Sequence, residues 1–239
     1  MKIAPRLHRI GSDLVASYLI EDGGEVTVVD AGIPGLWKEL PGELDAMGRS
    51  IADVRAVVLT HGDTDHLGFA ERLRRERGVQ VHIHEADADR ARLGKNDPNG
   101  AAGPLRLRPT LSFLWYAGRR GGLRVPPVAE VSTFVDGEVL DVPGRPRVLH
   151  APGHTAGSVV FHFPCVDAAF MGDAITTRNV LTGRGGPQPA PFTAEPERAL
   201  GSLDAVAGLD ATWVLPGHGP TWDGGVPEAV RRVREAAGR

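Results

Sequence analysis

Residues 61–66 place four side chains that can bind a metal ion within six positions: His61, Asp63, Asp65 and His66. The apolar run 54–59 comes directly before them. An apolar run followed by a polar turn with a glycine predicts a buried strand that delivers a loop at its carboxyl end. Imidazole and carboxylate groups without a thiolate favour zinc, iron or manganese. The segment therefore predicts part of a metal site.

Three later segments repeat this arrangement, in which an apolar run leads to a glycine and then to a residue that can bind metal. They bring His154, Asp173 and His218. One histidine in a turn rich in glycine and proline is usually only a turn residue. Four such loops in one chain are hard to obtain by chance, and their seven candidate ligands suit two ions.

The order HxxxDH, PGHTxGS, GD and PGHG resembles the metallo-β-lactamase superfamily of metallohydrolases, and the resemblance extends from about Leu14 to His218. It implies a four-layer αββα sandwich of the α+β class with a dinuclear metal site. By family position, His61, Asp63 and His154 hold the first ion, Asp65, His66 and His218 hold the second, and Asp173 bridges them.

The resemblance also implies how such a site works. Two ions lie roughly 3.5–4 Å apart and share a water of lowered pKa, and the bridging hydroxide is the nucleophile. Asp65 is the candidate catalytic proton shuttle, besides being a ligand. Asp30, at the end of an apolar run, is expected to support the metal loop from behind; a turn or helix-capping role is the alternative.

Two positions depart from patterns common in the superfamily. Most members have His where this chain has Asp63, and a carboxylate there adds negative charge and a harder oxygen ligand. We expect two divalent ions, zinc first, with iron or manganese possible because of Asp63; a weak or empty first site is the alternative. Many true β-lactamases have Cys where this chain has Asp173, so antibiotic hydrolysis is not expected.

Composition indicates an ordinary globular chain. Its 239 residues suffice for one large domain over residues 1–239, with 41% hydrophobic and 24% charged residues. The net charge of −3 gives no reason to expect nucleic acid or a membrane as a partner. The single cysteine, Cys165, fits a reducing compartment, and neither a signal peptide nor a membrane span is evident. We expect a cytoplasmic protein with a small-molecule substrate.

The elements that must position the ligands can also be read from periodicity. A hairpin is expected across residues 22–25, helices over 36–47 and 67–77, and a strand over 79–83. This order, followed by more strands, predicts two sheets with helices on the outer faces. A second hairpin is expected over 131–142, and helices over 195–206 and 227–237.

Residues 85–128 form an irregular insert with an aromatic cluster. Long insertions are usually functional or disordered, and the apolar cluster argues against disorder. We expect a cap that lines the pocket; plain packing or a homodimer contact are the alternatives. Trp115 and Tyr116 are possible substrate contacts. His84, at a strand end, is another, although structural hydrogen bonding is the competing interpretation.

The resemblance implies a metal-dependent hydrolase of a small ester-like bond: a lactone, a thioester or a carboxylic ester. The PGHTAGS and GD segments look like those of glyoxalase II and the acyl-homoserine lactonases. The alternatives are an iron-dependent oxidoreductase, a phosphodiesterase and a non-catalytic metal-binding protein. The chain has no room for a flavodoxin-like domain and no basic stripe, and all seven ligand positions hold competent side chains.

Overall fold

The computed structural model describes residues 1–94 and 102–238, and these residues form two facing β-sheets. The first sheet has its strands in chain order: β1 (Lys2–Ala4), β2 (Leu7–Gly11), β3 (Ala16–Asp22), β4 (Glu25–Val29), β5 (Val54–Val58), β6 (Gln80–His84) and β7 (Ser132–Phe134). The second contains β8 (Arg147–His150), β9 (Val159–Phe163), β10 (Ala168–Gly172) and β13 (Trp213–Pro216), in the order β13-β10-β9-β8. A separate ribbon pairs β11 (Thr176–Arg178) with β12 (Gly185–Gln188).

Seven α-helices lie in the described part of the chain: α1 (Leu40–Ala46), α2 (Thr64–Leu67), α3 (Ala70–Arg77), α4 (Ala88–Leu93), α5 (Leu107–Arg119), α6 (Pro196–Ser202) and α7 (Val226–Ala237). Among the described residues, no helix is long and apolar enough to cross a membrane.

The layered architecture arises because strands such as β5 bury side chains on both of their faces. Successive side chains of a strand point to opposite faces. In β5, Val57 packs in the cluster that contains residues of α1, α3 and α4, whereas Val58 packs in the cluster between the two sheets. A third cluster joins the outer face of the second sheet to α7, for example Val214 to Val230. The order is helices, sheet, sheet, helices, which confirms the α+β αββα sandwich.

Parallel pairing brings the ligand-bearing loops to one edge. Strands β4, β5 and β6 pair in parallel, so their carboxyl ends lie together. In the second sheet β10 is parallel to β13, and β8 runs the same way because both β8 and β10 are antiparallel to β9. Backbone bonds from Val159 N to Thr60 O and from Gly217 N to Gly172 O, both 2.9 Å, join these strand ends.

Most of the predicted elements are confirmed, with corrections at three places. The hairpin around residues 22–25 and the helices at 67–77, 195–206 and 227–237 are present, the first of these helices divided into α2 and α3. The predicted helix 36–47 is a 3-10 helix, Pro34–Lys38, followed by α1. Pro41 has no backbone N–H, so it suits the first turn of a new helix and not the interior of a longer one.

The hairpin predicted over 131–142 is wrong. Strand β7 pairs in parallel with β6 instead. Residues 137–140 then run antiparallel to residues 146–148, through the Val139–Arg147 bridge and a 2.8 Å hydrogen bond from the Val148 N–H to the Glu138 carbonyl. The Asp136 carboxylate accepts a hydrogen bond from the His150 backbone N–H at 2.8 Å. Asp136 and Gly137 thus contact β8 and do not form the turn of a hairpin.

The insert at 85–128 contributes α4 and α5, and its residues 95–101 lie outside the described part. Along α5, Phe113 and Tyr116 pack against the first core cluster. The opposite face exposes apolar side chains, including Leu107 and Trp115, which are 70% and 63% exposed.

Candidate metal centre

The seven candidate ligands meet at the shared edge of the two sheets. Two groups, each with ligand atoms within 4.8 Å of one another, match the two expected sets: His61, Asp63 and His154, and Asp65, His66 and His218. We refer to these as the first and second subsites. A third such group, His61, His66 and Asp173, connects them.

Asp173 lies between the two subsites. Its Oδ2 is 3.5 Å from His154 Nε2 and 3.4 Å from His218 Nε2, and its Oδ1 is 3.6 Å from His66 Nε2. One carboxylate therefore faces imidazoles of both subsites, which is the geometry of a bridging ligand. Gly217 makes this approach possible, since a Cβ there would lie 2.4 Å from His66 Cε1.

The histidines of the second subsite are oriented by strong acceptors. His66 Nδ1 donates to Asp30 Oδ2 at 2.8 Å, and His218 Nδ1 donates to the Leu14 carbonyl at 2.5 Å. A carboxylate and a carbonyl can only accept here, so Nδ1 carries a proton in both rings. Both imidazoles consequently turn Nε2 toward the centre.

The histidines of the first subsite are oriented by hydroxyl groups. The Thr60 hydroxyl donates to Asp30 at 2.8 Å and so accepts from His61 Nδ1 at 3.0 Å. The Thr193 hydroxyl donates to the Ala190 carbonyl at 2.9 Å and accepts from His154 Nδ1 at 3.2 Å. These rings also present Nε2 to the centre.

The donor set fits metal ions. The Nε2 atoms of His61, His66 and His154 are buried and have no hydrogen-bond partner, and Asp173 Oδ1 is in the same condition. Buried polar atoms are normally satisfied, so several orphaned atoms that converge on one point require an explanation. Metal coordination satisfies all of them, and the Nδ1 partners are the outer hydrogen bonds that metal-binding histidines usually have.

The centre also shifts the pKa of its members. Burial disfavours the charged form of His66, but the Asp30 carboxylate outweighs burial and raises its pKa to about 10. Burial likewise opposes charging of His218, yet Asp173 raises its pKa to about 9. Burial lowers the pKa of His61 well below the ordinary value. Below pH 9 an ion that binds the second subsite must therefore displace protons, which makes binding weaker as pH falls.

Asp30 supports the site from behind. It is buried and holds a left-handed backbone conformation, with φ of 55°. Its carboxylate accepts from the Thr60 backbone N–H, the Thr60 hydroxyl and His66 Nδ1, each at 2.8 Å. A single side chain thus orients His66 directly and His61 through Thr60. This is the position that the resemblance implied for Asp30.

Sequence reasoning missed Asp87, which ties two ligand-bearing loops together. It is buried, and its carboxylate accepts from the Gly62 N–H at 2.8 Å, the Thr155 hydroxyl at 2.7 Å and the Gly157 N–H at 2.8 Å. Gly62 belongs to the His61 loop and Thr155 to the His154 loop. The only signal in the sequence is an acidic residue after a strand, which is too common to be diagnostic.

Arg90 was missed as well. Its Nη1 lies 3.2 Å from Asp63 Oδ1, while Asp63 Oδ2 faces His154 Nε2 at 3.3 Å. Burial opposes ionisation of Asp63, but its bond with His154 and the charges of His61, His154 and Arg90 lower its pKa to about 2. The residue that departs from the superfamily pattern therefore has a cationic neighbour on a different element, α4.

A cleft of about 250 Å³ opens onto the centre. Its polar walls come from the two subsites, including Asp65, whose side chain is 25% exposed and whose Oδ2 lies 3.4 Å from His218 Nε2. Its other walls are apolar and come from α5, the loop after it and the segments after β4, β11 and β12: Ile33, Phe113, Leu114, Leu123, Val180 and Phe192. The insert thus forms one side of the cleft.

The three possible substrate contacts do not lie among the described residues that line this cleft. Trp115 points away from it, with Arg119 stacked at 4.9 Å from its ring centroid. Tyr116 lines a neighbouring cavity. His84 stacks on His150 at 4.2 Å, and its Nδ1 accepts from the Ala86 N–H at 3.2 Å, which is a structural arrangement.

Comparison with known proteins identifies the class. The sequence profile of the Metallo-beta-lactamase superfamily matches residues 10–218, so the chain belongs to this superfamily. The match covers the strands and loops that supply every candidate ligand. Hydrolysis is the main activity of the superfamily, and the His/Asp cluster is a candidate site for divalent metal ions.

Individual proteins are also similar to this chain. An uncharacterized protein of Mycobacterium tuberculosis is 30% identical over 183 residues, covering 69% of this chain and 68% of that protein. A hydroxyacylglutathione hydrolase of Cereibacter sphaeroides is 29% identical over 161 residues, covering 66% of this chain and 47% of that enzyme. A metallo-beta-lactamase family protein of Thermus thermophilus has a TM-score of 0.66 and 26% identity, covering 95% of this chain and 78% of that one.

Proposed function

We propose that this protein is a dinuclear metallohydrolase of small ester-like bonds: lactones, thioesters or carboxylic esters. One observation carries the proposal. Four imidazoles whose Nδ1 atoms are all engaged turn Nε2 toward a common centre, and Asp173 faces both pairs. The likeness to a hydroxyacylglutathione hydrolase over about half of that enzyme supports thioester or ester chemistry without selecting a substrate.

The residues of the centre have distinct roles in this proposal. When bound, two divalent ions supply a water of lowered pKa and polarise the scissile carbonyl. Asp65 holds its Oδ2 at the mouth of the second subsite, where a quarter of the side chain remains exposed. It is therefore placed to hold a proton and deliver it to the leaving group, the role expected of a general acid near a reacting bond.

The cleft favours an apolar acyl group. Eight apolar side chains line it, the six named above together with Ala117 and Pro191, and neither Lys nor Arg is among its described lining residues. An apolar substrate portion gains free energy when these walls remove it from water, at about 25 cal/mol per Å². The wall formed by Phe113, Leu114 and Leu123 belongs to the insert, which we propose is the substrate cap. A cytoplasmic enzyme with a small-molecule substrate is part of the same proposal.

The test is turnover of a substrate panel by protein loaded with zinc or with manganese. The panel contains butyryl and decanoyl nitrophenyl esters, the corresponding lactones, S-lactoylglutathione and bis-nitrophenyl phosphate. We expect metal-dependent turnover of the esters, with lower KM for the longer acyl chain. A phosphodiester that is turned over faster than every ester would contradict the proposal.

Two leucines of α5 give a matched comparison for the cap. Leu114 lines the cleft, whereas Leu107 is 70% exposed and is not among the lining residues. We expect L114N to raise KM for the decanoyl ester more than for the butyryl ester, and L107N to change neither. Equal behaviour of the two variants would show that α5 does not contact the acyl group.

A further inference from the structure

The two oxygens of the Asp63 carboxylate contact different groups. Oδ2 faces the first subsite, 3.3 Å from His154 Nε2 and 3.8 Å from His61 Nε2. Oδ1 lies 3.2 Å from Arg90 Nη1. The side chains are nearly buried, with 12% of Asp63 and 13% of Arg90 exposed. The two oxygens of one ligand thus have different environments.

Packing fixes the position of Arg90. Its aliphatic stem lies against Gly62, where an added Cβ would come within 2.8 Å of Arg90 Cδ. Its Nε is 4.0 Å from Asp87 Oδ1, and Asp87 itself is held by the Gly62 N–H and the Gly157 N–H. The contact with Asp63 Oδ1 is an ion pair without a hydrogen bond, so the confined guanidinium acts on that oxygen through its charge and its fixed position.

The pairing has consequences for an ion bound at the first subsite. A carboxylate with both oxygens free can bind an ion through one or both, and oxygen-rich, higher-coordinate sites suit manganese more than zinc. An arginine at Oδ1 competes with the second coordination mode. Its charge also offsets part of the negative charge that Asp63 adds relative to a neutral histidine, although the same guanidinium lies near Asp87 as well.

We propose that Arg90 is a positioning residue that makes Asp63 a monodentate, charge-compensated ligand, so that the first subsite behaves like a histidine-ligated site and retains a preference for zinc. This inference rests on the proposed metal centre. It also changes the expectation from sequence, because Asp63 considered alone favours iron or manganese, whereas the Asp63–Arg90 pair does not.

The test measures metal selectivity of the metal-free protein by competition titration with zinc and manganese, using R90M, R90K and R92M. Met has no charge and cannot hold Oδ1, whereas Lys keeps the charge without the planar fork. Arg92 is the matched control, because it lies on the same helix, pairs with Asp89 at 3.1 Å and is 44% exposed. Circular dichroism of each metal-free variant checks that it is folded.

We expect R90M to weaken zinc binding at the first subsite by about 10–100-fold, the usual effect of losing an outer-shell partner, and manganese binding less, so that the ratio of zinc to manganese affinity falls. R90K should lower it less, and R92M should leave it unchanged. Cobalt-loaded R90M should also show weaker visible absorption than the wild type, because absorption falls as coordination number rises. An unchanged ratio and spectrum in folded R90M would overturn the inference.

A reciprocal substitution separates charge pairing from general packing. D63H leaves the Arg90 cation beside an imidazole and an ion, so we expect weaker zinc binding at the first subsite. D63H/R90M removes the uncompensated cation and should restore zinc binding. If D63H binds zinc equally well with and without Arg90, the inference fails. If the wild type binds no metal at all, the proposed function fails instead.

Discussion

The two subsites share Asp173 but are anchored by different chemistry. In the second subsite, His66 donates to the Asp30 carboxylate and His218 donates to a backbone carbonyl. Charge-assisted hydrogen bonds are stronger than neutral ones, and a carboxylate partner raises the basicity of a ligating imidazole. The second subsite therefore combines rigid anchors with a high density of negative charge.

The first subsite relies on weaker and more adjustable contacts. His61 and His154 donate to the hydroxyls of Thr60 and Thr193 at 3.0 and 3.2 Å. Its carboxylate, Asp63, is balanced by Arg90. We infer that the second subsite binds its ion more tightly and that the first is the one whose selectivity the protein can adjust.

The largest expected loss of metal binding comes from replacing Asp173, the carboxylate that the two subsites share. D173N replaces an oxygen that faces both subsites with an amide nitrogen that is a poor ligand. We expect loss of metal from both subsites and of hydrolysis, measured by elemental analysis and turnover. D141N, at a carboxylate that is 98% exposed, is the control. Retention of two ions by D173N would show that the subsites are not bridged by this residue.

A smaller effect should fall mainly on the second subsite, because Asp30 contacts His66 directly and His61 only through Thr60. D30N keeps a side chain that tolerates a left-handed backbone, as the φ of 55° requires, but removes the negative charge behind His66. We expect its affinity for zinc at the second subsite to fall by about 10–100-fold. Competition titration with a chelator measures both affinities. If D30N lowers zinc affinity more at the first subsite than at the second, Asp30 is not the main anchor of the second subsite.

The smallest effect should be at the first subsite. T193V preserves shape but removes the hydroxyl that accepts from His154 Nδ1. A neutral hydrogen bond contributes about 1 kcal/mol, so we expect a loss of zinc affinity smaller than that of D30N. The same titration measures it. A T193V loss that equals or exceeds the D30N loss would show that the first subsite is as firmly anchored as the second.

The fold and the ligand positions could be predicted because each ligand follows an apolar run. Buried parallel strands place loops at a common edge, so His61, His154 and His218 converge although they are far apart in sequence. Asp87 and Arg90 could not be predicted in the same way. Their roles depend on how α4 packs against the His61 loop, which is a tertiary contact without a local sequence signal.

In the insert, too, the sequence could not predict which individual side chains line the cleft. An aromatic cluster indicates an ordered segment near a pocket, but helix rotation decides which side chains face inward. Phe113 and Leu114 line the cleft, whereas the next residue, Trp115, is 63% exposed. Each residue of an α-helix turns the side-chain direction by about 100°, so two neighbours can share a wall that the third does not reach. Composition therefore identified the segment, but the rotation of α5 decides which of its side chains line the cleft.

The most direct test of the dinuclear centre is a crystal structure of zinc-soaked protein with anomalous diffraction measured at the zinc edge. We predict two peaks roughly 3.5–4 Å apart, with Asp173 between them. One peak should be bound by His61, Asp63 and His154, and the other by Asp65, His66 and His218. A single peak, or two peaks bound by other residues, would contradict the dinuclear centre.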